Sequence, residues 1–542
     1  MSNKITNVWV CIILMFSLIN LSGQQIPALK KVGNKTQLFV NDTPFLVLGG
    51  ELGNSTATSM ENMMDVWPKM KDMHLNTILV PVYWELIEQQ EGKFDFTLIK
   101  ELIIEARKQE LKIIPLWFGS WKNSMSSHAP AWIKKDQKRF PRVRDNYGKS
   151  QEILSSFSNE VLTADMKAYE TLMRFIKDFD SKEQTIIMMQ VENEIGMLPS
   201  ARDYESLAEM QFKKDVPKAV IDYIQTNKEK LVPEFLHTWK TNGYKTKGNW
   251  ETIFGKGVQT DEYFMAYFYG VFANKIAEAG KKIYPIPTFV NAALNRPGRE
   301  PGAYPSAGPL PHVMDLWKAG GNAIDILVPD FYNPDFKHWC DLYGRQGDPL
   351  FVPEHAFDNT AAAKALFTFG NYEGIGFSPF HIEGTKNTKE EPLGKIYNIV
   401  NQLTPIINNQ MGKGKIKGVL ASKVIPETII RLGKYELSCK HDYTLSWNPG
   451  AKVDEWPLAS AIIIQIGEDE FYIAGNGIVI TFKDIEDKNL NVGLLKVDEG
   501  SFKEGKWKVL RHLNGDQTHQ GRHINVSHNS YTIQRVELYT YN

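Results

Sequence analysis

Two glutamates, each placed where a short apolar run stops, are the residues of this chain best suited to chemistry. Residues 185–196, TIIMMQVENEIG, carry Ile186 to Met189 and then turn abruptly polar at Gln190, Glu192, Asn193 and Glu194. An apolar run this short, between helical stretches, predicts a parallel strand buried on both faces. Its polar end then sits at the rim where ligands bind in parallel α/β folds. A carboxylate held there needs a task or a partner, because desolvating an unpaired charge is costly. Glu194 is therefore read as a general acid/base. Residues 350–357, LFVPEHAF, repeat the design and deliver Glu354. Two such carboxylates converging on one pocket can cleave a glycosidic bond, one protonating the leaving oxygen and the other attacking the anomeric carbon. Glu192 competes with Glu194: on a continuing strand both point the same way, and like charges that close raise one pKa. Glu192 is read as a buried structural partner.

The elements that must position these groups recur along the chain. Apolar runs at 45–48, 77–81, 112–116, 186–190, 286–290, 324–328, 350–353 and 374–378 alternate with helical stretches such as 61–74, 98–110, 164–179, 263–279 and 361–369. Eight strand–helix repeats predict an α/β fold, a closed (β/α)8 TIM barrel. A doubly wound open sheet is the alternative, but the stretch after the first run, LGGELGN, lacks the GxGxxG spacing. In a closed barrel the fourth and seventh strands face each other, which brings Glu194 and Glu354 together. The same rim collects Glu51, Tyr83, Trp84, Glu85, Trp117, Trp121, Asn291, Asp330, Tyr332, His355, His381 and Glu383. Trp84, Trp117, Trp121 and Trp132 are candidate sugar-stacking platforms, of which one or two are expected to touch ligand; His355 and His381 are candidate hydroxyl ligands. A polar helical stretch at about 202–247 reads as an insertion beside the active face. From 408 to 418, NNQMGKGKIKG suggests a linker, and the short strands after it suggest a smaller all-β domain, sandwich or jelly-roll-like.

The boundaries expected are a signal peptide at 1–23, a catalytic barrel at 24–410 and a C-terminal β-sandwich at 411–542. Lys4, the apolar stretch from Val8 to Leu21 and the change at Gln24 have the order of a secretory signal, so the protein is expected to be exported, periplasmic or extracellular, with no membrane insertion once the signal is removed. With Lys and Arg at 62 against Asp and Glu at 63, bulk charge recruits neither nucleic acid nor a membrane surface. Cys340 and Cys439, the two cysteines left after the signal, make no disulfide framework and suggest no metal site. HExxH, a Walker-type loop and GxSxG are all lacking, which removes the main support for metalloprotease, nucleotide-hydrolase and α/β-hydrolase readings. No metal or organic cofactor is expected.

QVENEIG at 190–196, PVYWELIEQQEGKFDF at 81–96 and PAW at 130–132 resemble family 35 of the glycoside hydrolases, over about residues 38–401. The resemblance implies an exo-acting, retaining β-galactosidase on a (β/α)8 barrel, taking a β-galactoside-containing glycan. It also implies Glu194 as acid/base, Glu354 as nucleophile, Asn193 as contact to the sugar 2-hydroxyl, and Tyr83 and Tyr332 as positioning tyrosines. Many members carry Cys-Ala-Glu-Trp after the third strand, where this chain has LWFGSWKNS at 116–124. The galactose contacts made there are expected from Trp121, Lys122 or Asn123 instead, so another β-linked sugar (a fucoside, arabinoside or glucoside) is the alternative substrate. A sugar-binding relative without catalysis is the alternative of a different class. The stretch RHLNGDQTHQGRH, 511–523, resembles the added β-domain of a bacterial branch of the family.

Overall fold

The structure, a computed structural model, describes residues 25–542 except Asn514 and Asn529. The expected signal segment, 1–23, lies outside the described residues. Eight strands, β1 (Val47–Glu51), β2 (Thr77–Tyr83), β3 (Lys112–Lys122), β4 (Met189–Asn193), β5 (Thr288–Ala293), β6 (Ile326–Phe331), β7 (Phe351–His355) and β8 (Gly376–Pro379), close into a barrel in sequence order. All neighbours are parallel. Each strand runs past its apolar stretch into the polar rim; Asp330, for instance, pairs with Glu354 across β6 and β7. Apolarity marks where the barrel is filled, whereas ladder pairing needs only backbone.

Alternation along the strands separates two cores. Leu79, Ile114, Leu116, Phe118, Met188, Phe289, Val328 and Phe351 fill the barrel interior. Leu38 and Val40, from the three-stranded antiparallel sheet of Ala28–Val32, Lys35–Val40 and Thr43–Phe45, join that cluster. Residues of opposite parity, such as Ile78, Val80, Ile113 and Trp117, pack outward against the helices. The stretch 202–247 forms helices Ser206–Phe212, Lys218–Thr226 and Pro233–Thr241. Asp315 anchors them, accepting from Tyr223 Oη (3.2 Å) and the Val232 N–H (2.7 Å). No described helix is long and apolar enough to cross a membrane.

The C-terminal region is all β. A six-stranded antiparallel sheet has the order β9 (Ile416–Ala421), β12 (Ala459–Gln465), β13 (Glu470–Asn476), β18 (Thr532–Tyr541), β15 (Asn491–Lys503) and β16 (Lys506–His512). A four-stranded sheet has the order β10 (Glu427–Leu432), β11 (Tyr435–His441), β14 (Ile478–Asp484) and β17 (Ile524–Val526). Val419, Ile463 and Phe471 from the first share one core with Leu437, Ile480 and Val526 from the second. The opposite face of the larger sheet, through Ile462, Ile464 and Tyr472, belongs to the barrel's helix-layer core. The expected loose linker is instead a tight turn: helix Pro392–Gln410 runs directly to it, and Lys415 Nζ donates to Gln465 Oε1 at 2.7 Å.

Strand β9 meets helix Ala361–Asn371 backbone to backbone. A Cβ on Gly418 would lie 2.4 Å from the Asn371 nitrogen and 2.8 Å from the Gly370 carbonyl carbon. Gly418→Val must force the two apart, and the cost expected is about 2–3 kcal/mol. A lowered thermal-unfolding midpoint checks this; an unchanged midpoint refutes the close contact.

Candidate active site

The polar ends of β1, β3, β4, β6 and β7 converge on one buried centre. Glu51, Lys122, Asn193, Glu194, Asp330 and Glu354 are all buried, and Glu194, Asp330 and Glu354 each present an oxygen within 4.8 Å of the others. Glu194 reaches this centre by a local distortion. Both Glu192 (φ 60°) and Glu194 (φ 45°) adopt left-handed backbone, a conformation that costs a non-glycine residue energy and recurs at functional sites. The twist sends the two side chains apart, so the expectation that they point the same way is corrected. Glu192 leaves for the helix layer, where it accepts from the Trp121 N–H at 2.7 Å and shares a hydrogen bond with Asp165 of helix Asn159–Asp180. The expected structural role of Glu192 stands on these contacts. Glu194 stays at the centre, its N–H donating to Asn291 Oδ1 at 3.0 Å, while Asn291 Nδ2 donates to Asp330 Oδ2 at 2.6 Å.

Lys122 supplies the positive charge. Its Nζ donates to Asn193 Oδ1 at 2.9 Å and lies 4.8 Å from the Phe118 ring centroid. Its charge acts on Glu51, Glu194, Asp330 and Glu354 together. One cation cannot balance four carboxylates, so protons must. Burial, then the Glu354 charge, pushes Glu51 well above the usual carboxylate range, and Glu51 shares a hydrogen bond with Glu354. Asp330 is also pushed well above its ordinary value, by burial first and then by the charges of Glu354, Glu194 and Glu51, and it hydrogen-bonds Glu194. Burial and then the Glu354 charge raise Glu194 to about 7. Glu354 is raised by burial but held down by Lys122, by Glu51 and by Tyr332, whose hydroxyl donates to its Oε1. The arrangement is a neutral acid beside each of two more acidic carboxyls. The oxygens of Glu194, Asp330 and Glu354 are close enough for a divalent cation, and the hydrogen bonds of Asp330 to Glu194 and of Glu51 to Glu354 account for the same spacing with shared protons.

Several expected contacts lie elsewhere. Trp121 is fully buried against Tyr269 and Phe272 in the helix layer, because β3 alternates and it is Lys122 that faces inward. The Tyr83 hydroxyl donates to the Asn54 carbonyl at 2.7 Å, and its ring packs on Phe118 and His128 rather than beside the carboxyls. None of the four candidate tryptophan platforms is free: Trp84 Nε1 donates to Glu88, Trp117 Nε1 to Asp165 and Trp132 Nε1 to the Glu88 carbonyl. His355 is buried among Phe331, Phe336 and Phe377, and burial lowers it to about 4. Asn123 and His381 are exposed at the rim, where His381 lies 3.8 Å from Glu383. Tyr332 is half exposed at the mouth. Asn291 and Asp330 are site residues that the strand-end pattern names without ranking; Lys122 enters the sequence reading only beside Trp121 and Asn123 as a replacement galactose contact, and the inward parity of β3 singles it out.

The proton on Glu192 gives a pH signature away from the centre. Burial, followed by the nearby Asp165 charge, raises its carboxyl well above the ordinary value of 4.5. The folded state therefore binds a proton that the unfolded chain releases, and stability falls by about 1.4 kcal/mol per pH unit as pH rises past the ordinary value. Glu192→Gln keeps a neutral donor and loses that dependence. It should raise the unfolding midpoint relative to the parent at about pH 8 and much less at about pH 5. Glu192→Leu, which strands the Trp121 N–H and Asp165, should cost about 1–3 kcal/mol of stability and so lower the midpoint at both.

Residues 37–266 match the family described as glycosyl hydrolases family 35, and residues 393–525 match a domain of unknown function, DUF5597. No curated protein sequence matches the chain. Among solved structures, the β-galactosidase of Bacillus circulans sp. alkalophilus is 14% identical with a TM-score of 0.46, over 67% of this chain and 57% of that one. The β-galactosidase of Rahnella sp. R3 is 13% identical with a TM-score of 0.47, over 67% and 57%. The catalytic domain of a β-amylase from Paenibacillus polymyxa is 14% identical with a TM-score of 0.45, over 65% and 97%. The chain thus spans less than two thirds of the length of either β-galactosidase. The stretch that matches family 35 of the glycosyl hydrolases carries β1 to β4, the tyrosine-tryptophan stretch at the end of β2 and the strand-end Asn193-Glu194 pair.

Proposed function

We propose that the protein is an exo-acting, retaining glycosidase that removes terminal β-galactosyl residues by double displacement through Glu194 and Glu354. The observation that carries this reading is the approach of their oxygens to within 4.8 Å across the mouth of a closed barrel. That supports the short carboxyl separation of double displacement, about 5–5.5 Å, over the about 6.5–9.5 Å needed to seat a water first. The family match supports a β-galactoside as substrate, and the near-complete burial of both carboxyls supports a pocket for a chain end. The apolar stretch behind Lys4 supports export.

Glu354 is the nucleophile. Donors from Tyr332 and Glu51 hold it, and Lys122 favours its charged form. Its oxygen bonds to the anomeric carbon as the bond to the leaving oxygen breaks, and the proton of Glu194 passes to that oxygen. Glu194, now ionised, takes a proton from water as the water attacks the anomeric carbon, and Glu354 is released as carboxylate. Asn193 suits the 2-hydroxyl: its Oδ1 is taken by Lys122, while its buried Nδ2 has no protein partner among the described residues.

Turnover of a panel of aryl β-glycosides tests the reading, with the galactoside expected to be cleaved best. Glu354→Gln should abolish turnover with every member. Glu194→Ala should cost about 10²–10⁴-fold on alkyl galactosides, whose leaving oxygen needs a proton. It should cost far less on nitrophenyl galactosides; equal losses on both refute the acid assignment. In the parent protein kcat/KM should fall as pH rises through about 7, where Glu194 loses the proton it must donate. Glu194→Ala should remove that limb, and a limb that persists in the variant must belong to another group.

A further inference from the structure

Beside the carboxyl centre lies a second, separate cavity of about 420 Å³, within the range of about 300–1,000 Å³ typical of small-molecule sites. Its walls come from the C-terminal face of the barrel. Asn295, Arg299 and Tyr304 follow β5, Gln259 and Glu262 lie in the first turns of helix Val258–Ile283, and His338 and Trp339 lie near the start of helix Phe336–Gly344. Glu234, from the helices of 202–247, closes one side.

The cavity is joined to the centre by a short chain of bonds. The Asn295 carbonyl accepts from Asn333 Nδ2 at 3.0 Å, and the neighbouring residue, Tyr332, donates to Glu354. Its wall is braced in advance. Glu262 accepts from Tyr304 Oη at 3.0 Å and the Ala307 N–H at 3.1 Å, and pairs with His312 Nε2 at 2.8 Å. The acids are already matched, Glu262 by His312 and Glu234 by Arg345, so the cavity offers no net negative field. What remains is an aromatic wall at Trp339, prolines 297, 301 and 311, and hydrogen-bonding groups that include a buried Asn295 Oδ1 with no partner among the described residues. Apolar faces edged by fixed donors and acceptors are what a sugar ring presents in complement: C–H faces and equatorial hydroxyls.

We infer that this cavity is a binding site for the neutral sugar units on the leaving side of the scissile bond. The inference rests on the glycosidase reading above and gives 202–247 a role in choosing the glycan. His338 and Gln259 are exposed, so His338→Ala and Gln259→Ala should fold; Trp339→Ala removes the wall itself. With the β-linked galactotetraose that the parent cleaves best, His338→Ala and Trp339→Ala should raise KM by about tenfold, roughly the contribution of one good contact. KM for nitrophenyl β-galactoside, which has no leaving-side sugars, should stay within about twofold. Equal shifts on both substrates, or none on the tetraose with any variant, overturn the inference. If the parent turns over no aryl glycoside, the glycosidase reading fails instead. Calorimetric binding of the tetraose then decides the cavity: weaker binding in His338→Ala supports it, and no binding or unchanged binding overturns it.

Discussion

Four carboxyl groups from four strands, Glu51, Glu194, Asp330 and Glu354, share one buried centre with a single ammonium group, and much of the site's order follows from that imbalance. Ionising all four in a water-poor space is prohibitive. The structure resolves the conflict with protons placed on particular residues, Glu51 beside Glu354 and Asp330 beside Glu194. Each proton makes a repulsive carboxyl neighbour into a hydrogen-bond donor. Lys122 then biases the remaining charge, and Tyr332 adds a donor to Glu354 alone. Two carboxyls of the same chemistry thereby acquire different environments, the condition for one to act as acid while the other attacks.

The barrel makes this possible through register. Successive residues on a strand alternate between the interior and the helix layer, and one consequence of that parity and one departure from it place the decisive groups. On β3, parity sends Trp121 to Tyr269 and Phe272 but brings Lys122 inward. After β4, left-handed residues at Glu192 and Glu194 break the alternation. One glutamate is delivered to Asp165 and the other to the pocket. Asp165 in turn accepts from Trp117 Nε1 and the Ser120 N–H, both at 2.9 Å, so the buried pair behind the site also pins the long third strand.

The surroundings of the centre are built with similar economy. The strands Ala459–Gln465 and Glu470–Asn476 of the six-stranded C-terminal sheet are buried on both faces, one against the partner sheet and the other against the barrel's helix layer. Helices from 202–247 brace the segment after β5 through Asp315, and Glu262 clamps the same segment from within. The second cavity therefore has a wall fixed by the buried Glu262–His312 pair and its hydrogen bonds, so a ligand need not order it on entry.

Much was legible in the residues alone. Eight apolar runs with helical stretches between them determined a closed parallel barrel, since runs buried on both faces have few other solutions. Their abrupt polar ends named Glu194, Asn193, Glu354, Glu51 and Tyr332 as neighbours, because strand ends in a barrel meet at one rim. The short runs and turns after about residue 459 determined the β character of the C-terminus. Tertiary structure alone decided which rim residues turn inward. Trp121 and Lys122 are adjacent and equally placed in sequence, and Tyr83 bonds to Asn54 through a loop contact no pattern encodes. Glu192 and Glu194 are separated by two backbone angles rather than by residue type. Protonation also belongs to the fold: a carboxyl's charge depends on what burial brings beside it, and that is a property of distance in space, not along the chain.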